Sequence, residues 1–385
     1  MNTSLSRRQF VERGLALSAG LALTPFARPV AAKTTQVDAE GYFTLGQRDG
    51  HWWLINPKGS PFFTIGLNHI DPASLRYPEN IHLWRDKYEG STLKWIQESV
   101  VPNLKTWGFN TVGWVQEVTV RQWRHSRPFT VDEYKALQMP YCHLLPFMES
   151  HQWEKHNVHY DFFSDDWVER CDYIARSHCA ELSDDSNLIG YFYSDCPTWT
   201  HDRPHNRWRG PIFDPERLKT EKGRKELRKL AHQYYKTTHD AIRRHDKHHL
   251  ILGDRYEANA HIAKPVMEAA LPFVDVLSFQ DFRDPLTHLD HWHKETGKPV
   301  LLADAAGMIE TEDGWRLNDG NWYEKNLDGL YENPGCIGFH LCGAYQRNKA
   351  RKRGLLDEFE KPDPKNVPLI KAANEKIVRL MKERF

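Results

Sequence analysis

The sequence predicts a (β/α)8 TIM barrel with a short N-terminal β-hairpin extension. Three observations carry that prediction. Short apolar runs alternate with amphipathic helical stretches, which argues for a parallel sheet. Eight such runs can be counted, which selects a closed barrel over an open sheet. Two of them, 187–199 and 297–307, end on an aspartate at the strand's C-terminal end, the end that carries chemistry in a barrel. With 385 residues, the chain has room for one barrel and a small extension.

Residues 1–32 read as a removable twin-arginine export signal. Ser6-Arg7-Arg8-Gln9-Phe10-Val11 precedes a mildly apolar stretch from Gly14 to Leu23. Val30-Ala31-Ala32 then offers small residues for cleavage. The apolar stretch is too short for a membrane span. The mature protein is therefore expected in the periplasm or outside the cell, with no membrane segment. Residues 33–60 form the hairpin extension. There Asp49-Gly50 makes the turn between a strand at 43–45 and another at 51–55, and Pro57 to Gly59 makes the next turn.

Residues 61–385 are the barrel. Strand one is expected over 62–67 and strand two over 111–114, joined by an amphipathic helix with Leu93, Ile96, Val100, Leu104 and Trp107 on one face. Strand three spans 141–147. A helix near 167–182 leads to strand four at 188–194. The polar loop 198–215 resembles active-site loops in length and composition. A charged helix near 215–245 precedes strand five at 250–254. Strands six, seven and eight follow at 274–279, 300–303 and 336–341. A Lys- and Arg-rich amphipathic helix, 368–384, ends the chain. No internal repeat or low-complexity tract interrupts it.

Composition excludes some classes. There are 52 basic and 52 acidic residues, a formal net charge of zero, so no field points to nucleic acid or an anionic membrane. The 14 tryptophans suit stacking on sugar rings as well as an aromatic core. The six cysteines show no CxxC spacing. In a chain that folds before export they are expected as buried free thiols.

Asp195 and Asp304 are the candidate catalytic pair, since two carboxylates facing one pocket suit acid/base work on a glycosidic bond. Each could instead cap a following helix. The candidate substrate contacts are His69, Trp114, Glu117, Glu149, Trp199, Asp254, Asp281 and His340, all at or just beyond strand ends. Glu257, Trp208 and Tyr345 are further candidates of the same kind. Each could equally be structural. No cofactor is expected. The 21 histidines raise metal-dependent hydrolysis, but no HxH follows strand one, so no metal ligand is assigned.

Several short motifs then resemble the agarase-like glycoside hydrolases of the large retaining (β/α)8 clan. They are Phe109-Asn110-Thr111 before strand two, 189–192 in strand four, Leu252-Gly253-Asp254-Arg255 in strand five, 298–302 in strand seven, and Gly338-Phe339-His340 with 353–357 at strand eight. They run in the family's order along nearly the whole mature chain. The resemblance implies a barrel, a carbohydrate substrate, a general acid after strand four and a nucleophile after strand seven.

Three positions depart from the pattern. Cys196 stands where the family acid would be, Asp304 where its nucleophilic Glu would be, and Leu341 where a Trp usually floors the sugar site. The expectation is a glycoside hydrolase with Asp195 as acid and Asp304 as nucleophile or base. The shorter Asp arms open the possibility of inversion, because a wider carboxyl gap admits water. A carbohydrate-binding barrel without catalysis is the alternative that Cys196 raises.

Overall fold

The computed structural model describes residues 41–115, 129–148, 160–197, 201–202, 216–349 and 351–385. The export signal, Glu117, Glu149, Trp199 and Trp208 lie outside the described residues.

Strands β1 (Thr44–Arg48), β2 (His51–Ile55) and β3 (Pro61–Phe62) form an antiparallel sheet. Asp49 and Gly50 both have positive φ, 53° and 76°, as a two-residue hairpin of this twist requires. The barrel begins with β4 (Thr64–Leu67), β5 (Thr111–Val112), β6 (Tyr141–Leu144) and β7 (Leu188–Asp195). Two short strands then pair outside it, β8 (His201–Asp202) with β10 (His261–Ile262), on either side of β9 (Leu250–Glu257). The barrel continues through β11 (Leu277–Gln280) and β12 (Val300–Ala305). A hairpin of β13 (Met308–Glu310) and β14 (Arg316–Asn318) follows, and β15 (Cys336–Leu341) closes the ring against β4. The eight barrel strands are all mutually parallel.

The extension has a mechanical role. Phe43 and Leu54 are buried in the same cluster as Ile189, Leu250, Val276, Leu301 and Ile337. Those residues lie at the starts of their strands, so the hairpin plugs the N-terminal end. The opposite end is left for chemistry.

The helices bury their apolar stripes against the outside of the barrel. Asp165–Leu182 starts at Ser164, whose hydroxyl accepts from the Trp167 N–H, and buries Trp167, Cys171, Ile174 and Cys179. Glu221–His245 starts at Thr220 in the same way and buries Leu227, Ala231, Tyr234, Tyr235 and Ile242. The helix expected after strand one is continuous over 92–106 but has a π-helical centre, Ile96–Val100. Pro102 follows that centre. It has no N–H to donate, and a widened turn accommodates the missing bond.

Strand bounds differ from expectation in two directions. β5 is shorter, because the Trp114 N–H is taken by the side chain of Asn68 at 2.8 Å. β9 is three residues longer and contains a bulge, described below. All six cysteines are buried free thiols. Among the described residues, no helix is long and apolar enough to cross a membrane.

Candidate functional site

Asp304 is turned into the barrel mouth by an irregularity near the end of β12, where the register against β15 shifts between Leu302 and Ala305. It is buried, 3% exposed. Asn68, just past β4, donates to its Oδ1 at 2.6 Å and to the Ala303 carbonyl at 2.7 Å. His69 Nε2 lies 3.5 Å from the same oxygen, and Arg255 Nη1 lies 3.9 Å away. Burial alone would raise this carboxyl. The Arg255 charge and the His69 contact outweigh it and hold Asp304 well below the usual carboxylate range.

Arg255 organises the rest. It is fully buried, and its Nη2 is 2.7 Å and its Nε 3.0 Å from Asp195 Oδ1. Nη1 also donates to the Ala303 carbonyl at 3.2 Å. The guanidinium lies 3.9 Å over the Trp114 ring, a desolvated cation–π contact worth about 2 kcal/mol. Burial disfavours the charge, but Asp195 and Asp304 more than offset that and raise the Arg255 pKa. The two aspartates singled out in the sequence are thus brought to opposite sides of one cation.

That arrangement bears on Asp195. It is 1% exposed and ends β7 directly against Arg255 in the ladder. With the guanidinium at 2.7 Å, Asp195 is one half of a buried ion pair with Arg255.

Two strained residues flank the site. His69 has φ 57° and Cys196 φ 44°, a region that costs a non-glycine residue roughly 1–2 kcal/mol. His69 is fixed there by its N–H to the Trp114 carbonyl at 2.5 Å and by the Tyr345 N–H to its own carbonyl at 3.2 Å. Cys196 is fixed by its N–H to the Arg255 carbonyl at 3.0 Å. Its Sγ is contacted by Gln280 Nε2, reaching over from β11.

The other candidates are placed variously. Trp114 is buried in the barrel interior beneath Arg255, so its face is already covered. His340 is buried in the barrel and shares a 2.9 Å hydrogen bond with Thr64; burial and the Arg255 charge lower its pKa to about 3.

Asp254 faces outward, a correction to the sequence reading. Its carboxylate accepts from Tyr235 at 2.6 Å, Tyr234 at 3.2 Å and the Ser194 N–H at 2.9 Å. Burial still pushes it up to about 6. The cause is Gly253, whose φ of 67° marks a bulge that reverses the facing of the residues after it. Asp281 holds the turn that leads into the helix Pro285–Thr296, accepting from the Arg283 and Asp284 N–H groups and from His288. Tyr345 is buried with its hydroxyl 2.7 Å from both Ser99 and Asn103, so it offers no platform.

His69, Asp304 and Cys342 form the one trio of metal-ligand type among the described residues, with donor atoms within 4.8 Å of one another. Three guanidinium groups press on it. Arg353 Nη2 is 2.7 Å and Arg351 Nη1 3.8 Å from the Cys342 sulfur, and Arg255 is 3.9 Å from Asp304. A divalent ion there would face all three. Nor is the trio a nucleophile relay. Asp304 and Cys342 both approach the same ring nitrogen, His69 Nε2, leaving no base on one side and orienter on the other. Burial raises the Cys342 thiol well above its ordinary value.

Sequence reasoning did not single out Asn68 or Arg255 as site residues. Arg255 had a signal, since it ends the Leu252-Gly253-Asp254-Arg255 motif. Asn68 had only its place beside His69 at a strand end.

No family model matches the chain, and no curated protein does. Solved structures do. The chain is similar to an agarase, AgWH50C, with TM-score 0.67 and 17% identity, over 89% of this chain and 63% of that one. It is similar to an exo-beta-agarase with TM-score 0.69 and 17% identity, over 88% of this chain and 65% of that one. A third, BpGH50, gives TM-score 0.66 and 18% identity over 91% and 85%. The chain therefore has the barrel fold of these agarases and spans just under two thirds of the first two.

Proposed function

We propose that a barrel of the agarase fold, with a buried carboxylate held ionised at its mouth, acts as an exported glycoside hydrolase on a poly- or oligosaccharide. The observation that carries the reading is Asp304, fixed by Asn68 at 2.6 Å and kept deprotonated by Arg255. Attack on an anomeric carbon, directly or through water, must start from a carboxylate. Its suppressed basicity favours direct attack, with retention, over the inversion that the shortened arm suggests. A base far below working pH takes a proton from water poorly. Asp195 is assigned as the partner that holds Arg255 in place. Export rests on the Arg7-Arg8 pattern.

The test is turnover of agar oligosaccharides, other algal and bacterial glycans, and aryl glycosides, with the product anomer read by NMR. Asp304→Asn should keep the fold and lose turnover by roughly 10²–10⁴-fold or more. Near-wild-type activity in that variant would remove the assignment. The second reading, a carbohydrate-binding barrel, is favoured by one observation, Cys196 at the acid position. Saturable glycan binding without turnover by the wild-type chain would select it.

A further inference from the structure

A hydrolase of this kind needs a proton donor, and neither strand-four position supplies one. Cys196 has no carboxyl, and Asp195 is tied to Arg255. The neighbouring strand carries the alternative. β9 runs on to Glu257, and Gly253 resets its alternation. Arg255 faces the barrel interior, as its contacts with Asp195 and Trp114 require. Tyr256 faces outward, its hydroxyl 2.8 Å from Tyr235 on the helix Glu221–His245. Alternation then turns Glu257 inward again, and it is buried, 4% exposed.

Ladder register fixes where that carboxyl stands. Glu257 is paired with Gln280, and Gln280 is paired with Asp304. The three residues share one hydrogen-bonded row at the C-terminal ends of adjacent strands. Glu257 and Asp304 are thus two strand spacings apart, about 9–10 Å between Cα atoms. Two inward-facing side chains at that spacing can reach a sugar's anomeric carbon and its leaving oxygen. Gln280, between them, reaches Cys196. The row therefore runs beside the place where the family acid would stand. Asp195 is paired one pleat lower, with Arg255, and belongs to a different row.

We propose that Glu257 is the catalytic acid of this site, so that the proton donor has moved from strand four to strand five. The assignment rests on the hydrolase reading above. Glu257 gives its carboxyl proton to the glycosidic oxygen as the bond from that oxygen to the anomeric carbon breaks. The bond's electrons stay on the leaving oxygen. Asp304 forms the new bond to the anomeric carbon. In the second step water adds to that carbon, its proton passes to the Glu257 carboxylate, and Asp304 is released.

The experiment compares wild type with Glu257→Gln on two substrates: a natural oligosaccharide that the wild type cleaves, and a dinitrophenyl glycoside whose leaving group needs no protonation. The expected result is a roughly 10²–10⁴-fold fall in kcat/KM on the first and less than tenfold on the second. The alkaline limb of the pH profile should also be lost. Unchanged cleavage of the natural substrate overturns the assignment. An equal loss on both substrates with a normal melting temperature overturns it too. Should Glu257→Gln fail to fold, Glu257→Asp keeps a carboxyl. It should slow the natural substrate more than the dinitrophenyl glycoside while keeping the alkaline limb, and equal slowing again refutes the role. A wild-type chain that cleaves no glycoside sinks the hydrolase reading itself.

Discussion

Replacing Arg255 with methionine keeps an unbranched apolar stem and removes the guanidinium whose charge two buried carboxylates share. Four interactions go at once: the contacts to Asp195 at 2.7 and 3.0 Å, the ion pair with Asp304 at 3.9 Å, the bond to the Ala303 carbonyl at 3.2 Å, and the stack on Trp114. Removing one member of a buried ion pair costs about 3–5 kcal/mol, because the other is left charged and alone. For the roughly 345 residues of the folded unit, an unfolding entropy near 2.1 cal/mol/K per residue gives about 0.7 kcal/mol/K. The melting temperature at pH 7 should therefore fall by about 4–7 °C.

The fall should depend on pH. In the wild type the folded Asp304 carboxyl lies below its unfolded value. Its stabilisation is present above about pH 4 and is lost as pH falls toward the folded value. Without Arg255, burial dominates and the folded value rises above the unfolded one. Asp304 then costs stability as pH rises through it. The difference between Arg255→Met and wild type should widen from pH 4 to pH 7 in calorimetry. A shift under 1 °C at pH 7, or one equal at both pH values, would refute this account of the site.

Two other predictions concern pH and export. His69, His143 and His340 are buried, and their folded pKa values are lowered, mainly by burial. Below about pH 6.5 the unfolded chain takes up protons that these imidazoles refuse, so stability should drop by on the order of 1.4 kcal/mol per imidazole per pH unit. Asp254, raised to about 6, acts oppositely and offsets about one of the three between pH 6 and 4. Melting from pH 7.5 to 5 should show little change above about pH 6.5 and a decline below it, shallower in His143→Phe, and a profile flat throughout would contradict the buried neutral assignment. For export, changing Arg7 and Arg8 together to lysine should leave the chain in the cytosol, read by fractionation. Unimpaired arrival in the periplasm would remove the signal reading.

Much of the fold was legible because barrel strands are short, apolar and separated by helices with clear buried stripes. The bounds failed where side chains replace ladder bonds. Val274 and Asp275 read as strand six, yet the Asp275 carboxylate accepts from the Ile251 N–H at 2.7 Å and from Arg243 at 3.1 Å. That residue anchors the strand's approach, and β11 starts at Leu277. At the site, Asp304 was legible because a lone carboxylate closing an apolar run is conspicuous. What surrounds it was not. Asn68 and His69 lie 235 or more residues away in sequence, and only closure of the ring brings β4 beside β15 and near β12.

The larger misreading, at strand five, has one cause. Counting alternation from Leu250 and Leu252, both in the barrel interior, puts Asp254 inside and leaves Arg255 facing the helices. Gly253 breaks that count. A glycine inside a strand pattern signals a bulge, and this one has a backbone that a side chain would strain. A Cβ built on it would stand 2.9 Å from Val274. The bulge sends Asp254 to Tyr234 and Tyr235 and turns Arg255 between the two aspartates. The same half-turn brings Glu257 into the row of Asp304. On the proposal that Glu257 is the acid, no new strand or loop is needed to supply the proton donor. One left-handed residue in strand five is enough to present a guanidinium and a carboxyl where a regular strand would present one aspartate.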